Sequence, residues 1–258
     1  SLGIDQLEPI AVNNLGAANN SANGLFTAAD TVNGGDGDDL LSFTFGSAPV
    51  PNLTLKDREP LIAGAEVRGI ENINVLVDNA AGDGNPAAVL TVDNSVLKDV
   101  AANLGTKTLF VNAGAQDQDP AAFGLQPAGS LNFDATSFVQ GERVVFQDSG
   151  LISNVNNVQF LTAPEDINRR QFGSGDDVYA NNIFDFNNAG TILRNGPSSN
   201  VVIEGNGGSD TIFLHFGDGV AREYVKFNTG NDGGVAGAAF GGDFVLNFVS
   251  AESGAAAA

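Results

Sequence analysis

The stretch from Asn33 to Phe45 reads N-G-G-D-G-D-D-L-L-S-F-T-F and concentrates residue types that can bind a hard cation. Gly34, Gly35 and Gly37 are interleaved with Asp36, Asp38 and Asp39. A calcium ion takes six to eight oxygens at about 2.3–2.6 Å, from carboxylates and main-chain carbonyls. Glycines let a backbone curl so that its carbonyls converge, because only Gly enters positive φ freely. The aspartates add charge. Two later stretches repeat the spacing. One is F-G-S-G-D-D-V-Y-A, with Gly173, Gly175, Asp176 and Asp177, where Phe172 stands in place of the first glycine. The other is G-N-G-G-S-D-T-I-F, with Gly205, Gly208 and Asp210, where Asn206 stands in place of the second. The same residues also make ordinary tight turns between strands, which Gly and Asp dominate.

Gly34, Gly35, Gly37, Asp39 and Leu41 fit the repeat G-G-x-G-x-D-x-U-x, where U is a large apolar residue. The stretch resembles the calcium-binding turn of the RTX family of secreted proteins, and of bacterial surface-layer proteins that carry the same turns. The phrase Gly69-Ile70-Glu71-Asn72-Ile73-Asn74-Val75 is similar to strand phrases of surface-layer solenoids. The resemblance implies Ca2+ as the ligand. It implies coordination by the carboxylates of Asp39, Asp177 and Asp210, with Asp36, Asp38 and Asp176 as neighbours, and by carbonyls around Gly34, Gly35, Gly37, Gly173, Gly175, Gly205 and Gly208. In that family the repeats run in tandem and successive turns share each ion. Here the matches lie far apart, so sharing requires distant turns to stack on one another.

The elements that must position these turns are short strands. Leu41, Phe43 and Phe45 alternate with polar residues, which is the period of a half-buried strand. Further strands are expected at 53–55, 70–77, 88–92, 108–111, 130–133, 143–146 and 155–161. Beyond these come 183–186, 201–203, 212–216, 224–227 and 243–249. Most end in Asn, Asp or Gly, and their starts recur more widely than two-residue hairpins allow. The expected fold is all-β, either a parallel β-solenoid-like stack or a β-sandwich, with Gly/Asp-rich turns that bind calcium. One helix is expected at 94–104. Asn94 or Ser95 would cap it, Val96, Leu97, Val100 and Leu104 would share a face, and Gly105 would end it. Lys56-Asp57-Arg58-Glu59 reads as a solvated loop. The organisation expected is an irregular arm over 1–30, a β-rich half over 31–163, a connector over 164–171, a second β-rich half over 172–250 and a tail over 251–258.

Composition limits the function. The 258 residues hold 31 Asp+Glu against 11 Lys+Arg, for a net charge of −20. Nucleic acid and anionic membrane surfaces both demand a basic patch, so neither is an expected partner. Only 16% of residues are charged and 42% are hydrophobic, with 18 Phe, which suits a packed core rather than a disordered acidic chain. There is no Cys, so thiol chemistry, thiolate metal sites and disulfides are absent. No stretch has the pattern of a signal peptide, and none approaches the 18 apolar residues of a membrane-spanning helix. Membrane insertion is not expected.

Catalysis finds few candidates. His215 is the one histidine, so a zinc site built on several His or Cys ligands cannot form. No G-x-S-x-G elbow or phosphate-binding P-loop is present. Paired carboxylates could hydrolyse a glycoside, but the chain has no Trp and only Tyr179 and Tyr224 to stack a sugar. The expectation is a non-enzymatic protein: a secreted, calcium-stabilised structural subunit on the bacterial surface. It would assemble with itself into a filament or layer, with the 1–30 arm adding as a strand to a neighbour. An RTX-type adhesin or other binding module is the alternative, ahead of a polysaccharide lyase. The stretch 243–249 is also similar to the C-terminal signal of type I secretion substrates.

Overall fold

The computed structural model describes residues 31–45, 52–57, 65–77, 88–115, 131–149, 168–181, 185–186, 192–193, 201–214, 223–227 and 242–246. In chain order the strands are β1 (Thr31–Asn33), β2 (Leu40–Phe45), β3 (Asn52–Lys56), β4 (Ala65–Arg68), β5 (Asn72–Val77) and β6 (Ala88–Val92). Then come β7 (Lys107–Ala115), β8 (Leu131–Asp134), β9 (Glu142–Ser149), β10 (Asn168–Gln171) and β11 (Val178–Asn181). The last are β12 (Asp185–Phe186), β13 (Ile192–Leu193), β14 (Val201–Glu204), β15 (Thr211–Phe213), β16 (Glu223–Val225) and β17 (Phe244–Leu246).

Two sheets hold nearly all of them. The first runs β1-β4-β3-β6-β8-β10-β14-β16 and the second β2-β5-β7-β9-β11-β15-β17. Every pairing within these two sheets is parallel. The small β12–β13 hairpin is antiparallel. Each strand of the second sheet follows a strand of the first along the chain, so the architecture is a β-solenoid of stacked strand–turn–strand units. A parallel neighbour cannot be reached by a tight hairpin, which explains the wide spacing of strands in the sequence and removes the sandwich alternative. The extra strand of the first sheet is β3. It is wedged between β4 and β6, pairing Leu55 with both Ala65 and Val92.

The core lies between the sheets and follows from the period of two. Leu41, Phe43 and Phe45 of β2 point inward, as do Ile73 and Val75 of β5, Leu109 and Val111 of β7, and Val144 and Phe146 of β9. Facing them are Leu53, Leu55, Leu90, Val92, Leu131, Phe133, Val201 and Ile203. Aromatic rings fill the middle: Phe133 and Phe146 pack with centroids 4.8 Å apart, and Phe146 stacks on Tyr179 at 6.2 Å.

Three expectations are corrected. The helix at 94–104 shrinks to one 3₁₀ turn, Asn94–Leu97. Asp93 caps it, accepting from Ser95 N–H at 3.0 Å. Asp99 and Leu104 adopt φ of 69° and 52°, and Leu104 is fully exposed rather than facing the core. The segment must hand its carbonyls to the stacked unit (Ile70 N–H donates to Val96 O) and then re-enter the second sheet at Lys107, and a straight helix would do neither. Second, Asn168–Gln171, expected as the end of a connector, is strand β10, paired with β8 and β14 on its two sides. Third, Lys56 ends β3 and is 8% exposed, so it does not belong to a solvated loop. Asp57 beside it pairs with Lys98. The expectations for the 1–30 arm, the 155–161 strand, His215 and the 251–258 tail lie outside the described residues.

Candidate metal centre in the turn column

Three turns that join the first sheet to the second have six residues each: 34–39, 172–177 and 205–210. All end on an aspartate, and each aspartate is buried: Asp39 at 0%, Asp177 at 1% and Asp210 at 2% exposure. Apolar packing does not explain a buried carboxylate. The stacking does. Val144 N–H donates to Asp177 Oδ1 at 2.7 Å. Asp177 N–H donates to Asp210 Oδ1 at 2.9 Å, and Asp210 N–H donates to Asp243 Oδ1 at 3.1 Å. Each donor and acceptor pair is 33 residues apart. At the other end of the stack, Asp39 N–H donates to Glu71 Oε2 at 2.9 Å. The result is a one-directional ladder in which the side chain of one unit caps the main chain of the unit before it.

Glycine earns its place here mainly by closeness. A Cβ on Gly173 would overlap the carbonyl oxygen of Phe138, and one on Gly175 that of Glu142. A Cβ on Gly208 would overlap the carbonyl of Gly175, and one on Gly34 that of Gly69. Within its own turn, Gly205 leaves room for Asp210 Oδ2. Positive φ occurs at the second position of two of the turns, at Gly35 (87°) and Asn206 (69°), but not at Gly173 of the third. Asn is among the few side chains that visit this region, and Asn206 adds a hydrogen bond from Nδ2 to Phe172 O at 2.8 Å. Phe172, which replaces the first glycine, is 2% exposed and packs 6.1 Å from the Phe133 ring.

Sites from distant parts of the sequence do meet. The 172–177 turn stacks on the 205–210 turn: Gly207 N–H donates to Gly173 O, Ser209 N–H to Asp176 Oδ1, and Thr211 N–H to Asp177 O. The 34–39 turn does not join them. It stacks on the short turn Gly69–Glu71, where Asn72 Nδ2 donates to Asp38 Oδ1 at 2.6 Å. Units carrying β7 and β9, with Leu109 and Val144 in the ladder position, separate the two groups.

The residues fit a hard cation in type. Oδ2 of Asp177 and Oδ2 of Asp210 are buried and meet no well-aligned donor among the described residues, although the Gly173 N–H also pulls on the Asp177 carboxylate. Gly175 O and Asp176 Oδ1 lie against the next turn, at Gly208. All are oxygen donors, as calcium requires. Among the described residues no three Asp, Glu or His side chains converge on one point, so a bound ion would also draw on main-chain carbonyls. Burial pushes the Asp177 carboxyl up to about 7, against the pull of the Val144 and Gly173 N–H groups. Burial likewise pushes Asp210 up to about 8, reinforced by the Asp177 and Asp243 charges. Burial also raises Glu71 above the usual carboxylate range. A nearby cation would favour the charged forms of these carboxylates, against the cost of burial.

Sequence reasoning missed Glu71 and Asp243. A signal for the latter exists: Asp177, Asp210 and Asp243 are evenly spaced, each before an apolar strand. It also missed a polar group inside the core. Arg170 is fully buried between the sheets. Its Nη2 donates to Asp148 Oδ2 at 2.7 Å, its Nη1 donates to Leu131 O, and its guanidinium carbon lies 4.9 Å from the Phe146 centroid. Tyr179 Oη reaches Asp148 Oδ2 at 3.4 Å.

No protein-family model matches the chain, and no curated protein or solved structure matches it.

Proposed function

We propose that the chain is a calcium-stabilised structural subunit of an extracellular filament or surface layer, built to assemble with itself. The observation that carries this reading is a pair of buried carboxylate oxygens, Asp177 Oδ2 and Asp210 Oδ2, one in each of two stacked Gly/Asp turns and neither with a well-aligned hydrogen-bond donor. A divalent cation there offsets both charges and ties consecutive units together. Weak oxygen-only sites fill at the millimolar calcium found outside cells, where Kd values of about 10⁻⁴–10⁻³ M suffice. The residues that would hold it are Asp177, Asp210 and Asp176, with the carbonyl of Gly175.

Several features support a structural rather than a catalytic role. Among the described residues, the buried Asp177 and Asp210 lock units together and the buried Arg170–Asp148 pair bridges the sheets. A solenoid is also a stack of units that each contact their neighbours, and extending the stack lengthens the object without changing its plan. The acidic surface, at net charge −20, suits a coat bathed in divalent cations.

Sedimentation velocity of the whole chain, in millimolar calcium and then in excess EDTA, tests the reading. Calcium-dependent species larger than the 26.4 kDa chain are expected, with a calcium-dependent rise in melting temperature. Identical boundaries and identical melts in both buffers would sink it.

A further inference from the structure

The column of turn carboxylates stops at one unit. Asp243, Asp210 and Asp177 occupy the same place in successive units, and each caps the main chain of the unit before it. The group that Asp177 caps is the N–H of Val144, and Val144 is level with Leu109 of the preceding unit. Beyond Asp177 the column is therefore apolar. The residue directly before Val144 is Arg143, a half-buried cation level with Thr108. Its Nη2 donates to Thr108 Oγ1 at 3.3 Å. Its Nε is buried and meets no acceptor among the described residues. Elsewhere in the fold cations are neutralised by contact: Arg170 pairs with Asp148, Arg169 and Lys226 with Glu204, and Lys98 with Asp57. Arg143 makes no such pair among the described residues, so its charge acts on the column through space. Asp177 feels it, since the Arg143 charge opposes the rise that burial causes there.

We propose that Arg143 is a built-in counter-charge that sets how tightly the Asp177–Asp210 site holds calcium. The inference rests on the calcium reading of that site. Calcium affinity follows the number of charges among the ligands. Asp176, Asp177 and Asp210 supply three when ionised, and Arg143 cancels one of them without touching the ion. A guanidinium is always protonated in proteins, so this cancellation is permanent. The repulsion falls only as the inverse of distance and needs no contact. Partial burial keeps salt from screening it away. The ion's own charge multiplies it, twice for a divalent ion and three times for a trivalent one. Arg143 thus stands where the column ends and holds the last site of that column at a weak affinity.

Titration calorimetry on the whole metal-free chain, with calcium and then with a trivalent lanthanide ion, tests this at one pH. Arg143→Met is expected to bind calcium at least about threefold more tightly than the wild type, and the lanthanide at least about fivefold, because the gain scales with ion charge. Arg143→Lys keeps the charge and should retain the wild-type affinity for both ions. Thr108→Val removes the hydrogen bond, keeps the charge and should also leave both affinities unchanged. Arg143→Gln, which retains a polar partner for Thr108, decides the question if Arg143→Met does not fold. Neutral variants that bind calcium no more tightly than the wild type would overturn the proposal, as would an equal gain in Arg143→Lys or Thr108→Val. A wild-type chain that takes up no calcium overturns the calcium reading and this proposal together. A wild type that binds, with Arg143→Met and Arg143→Gln binding no better, overturns the role of Arg143 alone.

Discussion

The carboxylate of Asp210 caps the main-chain N–H of Asp177 at 2.9 Å, across 33 residues of sequence. One side chain therefore does two things: it fixes the register of one unit on the next, and it buries an ionisable group. Its Oδ1 serves the ladder, while its Oδ2 has no donor.

The raised acidities set the sign of the pH dependence. An aspartate in the unfolded chain titrates near 3.9, whereas Asp177 titrates at about 7 and Asp210 at about 8 in the folded protein. The folded state holds these protons more tightly. In metal-free protein their contribution to stability is therefore complete below about pH 4 and is lost as pH rises towards about 8. Melting curves in EDTA should show lower stability at pH 9 than at pH 5, and calcium should restore stability mainly at the alkaline end. Calcium stabilisation of equal size at both values would contradict this.

Replacing Asp210 separates hydrogen bond from charge. Asp210→Ala leaves the Asp177 N–H buried without an acceptor and should cost about 1–3 kcal/mol with or without calcium. Asp210→Asn keeps an acceptor oxygen and removes the charge. It should match or exceed the wild type in EDTA at pH 9 and lose most of the calcium response. A full calcium response in Asp210→Asn would place the ion elsewhere.

Two glycines should respond differently to the same added methyl group. At Gly173 a Cβ runs into the Phe138 carbonyl, which is main chain and held by Ser174 N–H at 2.8 Å. Gly173→Ala should cost about 1–3 kcal/mol, or more, as an overpacking defect. At Gly35 nothing lies within 4 Å, and the cost comes only from φ 87°, about 1–2 kcal/mol for a left-handed alanine. Chemical denaturation of both variants measures the difference. If Gly35→Ala proves the worse of the two, the close approach of the stacked turns is not what the glycines serve.

The buried Arg170–Asp148 pair predicts a non-additive double mutant. Arg170→Met strands the Asp148 carboxylate beside Tyr179 and should cost about 3–5 kcal/mol. Arg170→Met combined with Asp148→Leu removes both charges and should recover most of that loss. A double variant no more stable than Arg170→Met alone would mean that the guanidinium matters for its packing on Phe146 rather than for its charge.

How much of this was legible beforehand depends on the range of each interaction. Strand alternation is local, so Leu41, Phe43 and Phe45, or Val144 and Phe146, announced the core on their own. The turn aspartates were visible because each follows glycines at a spacing that recurs at three places in the chain. The stacking of 172–177 on 205–210 was not visible, because a solenoid unit closes through long connections whose length varies. Only the later units keep the 33-residue step. The misreading of Arg170 has a different cause: charge alone suggests solvent, and only the three-dimensional position of Asp148, on a strand of the opposite sheet, makes a buried guanidinium tolerable. The helix at 94–104 failed because local propensity there is weak and the stacked unit overrides it.

The wedged strand β3 bears on how the chain is built in time. In most of the stack a newly made strand can settle on the edge left by the one before, like a zipper closing from one side. At β1-β4-β3-β6 it cannot: β3 emerges first, yet β4 must come to lie between β1 and β3. The first two units therefore form together, once the segment through Arg68 is available, and the remaining units lengthen that seed in order.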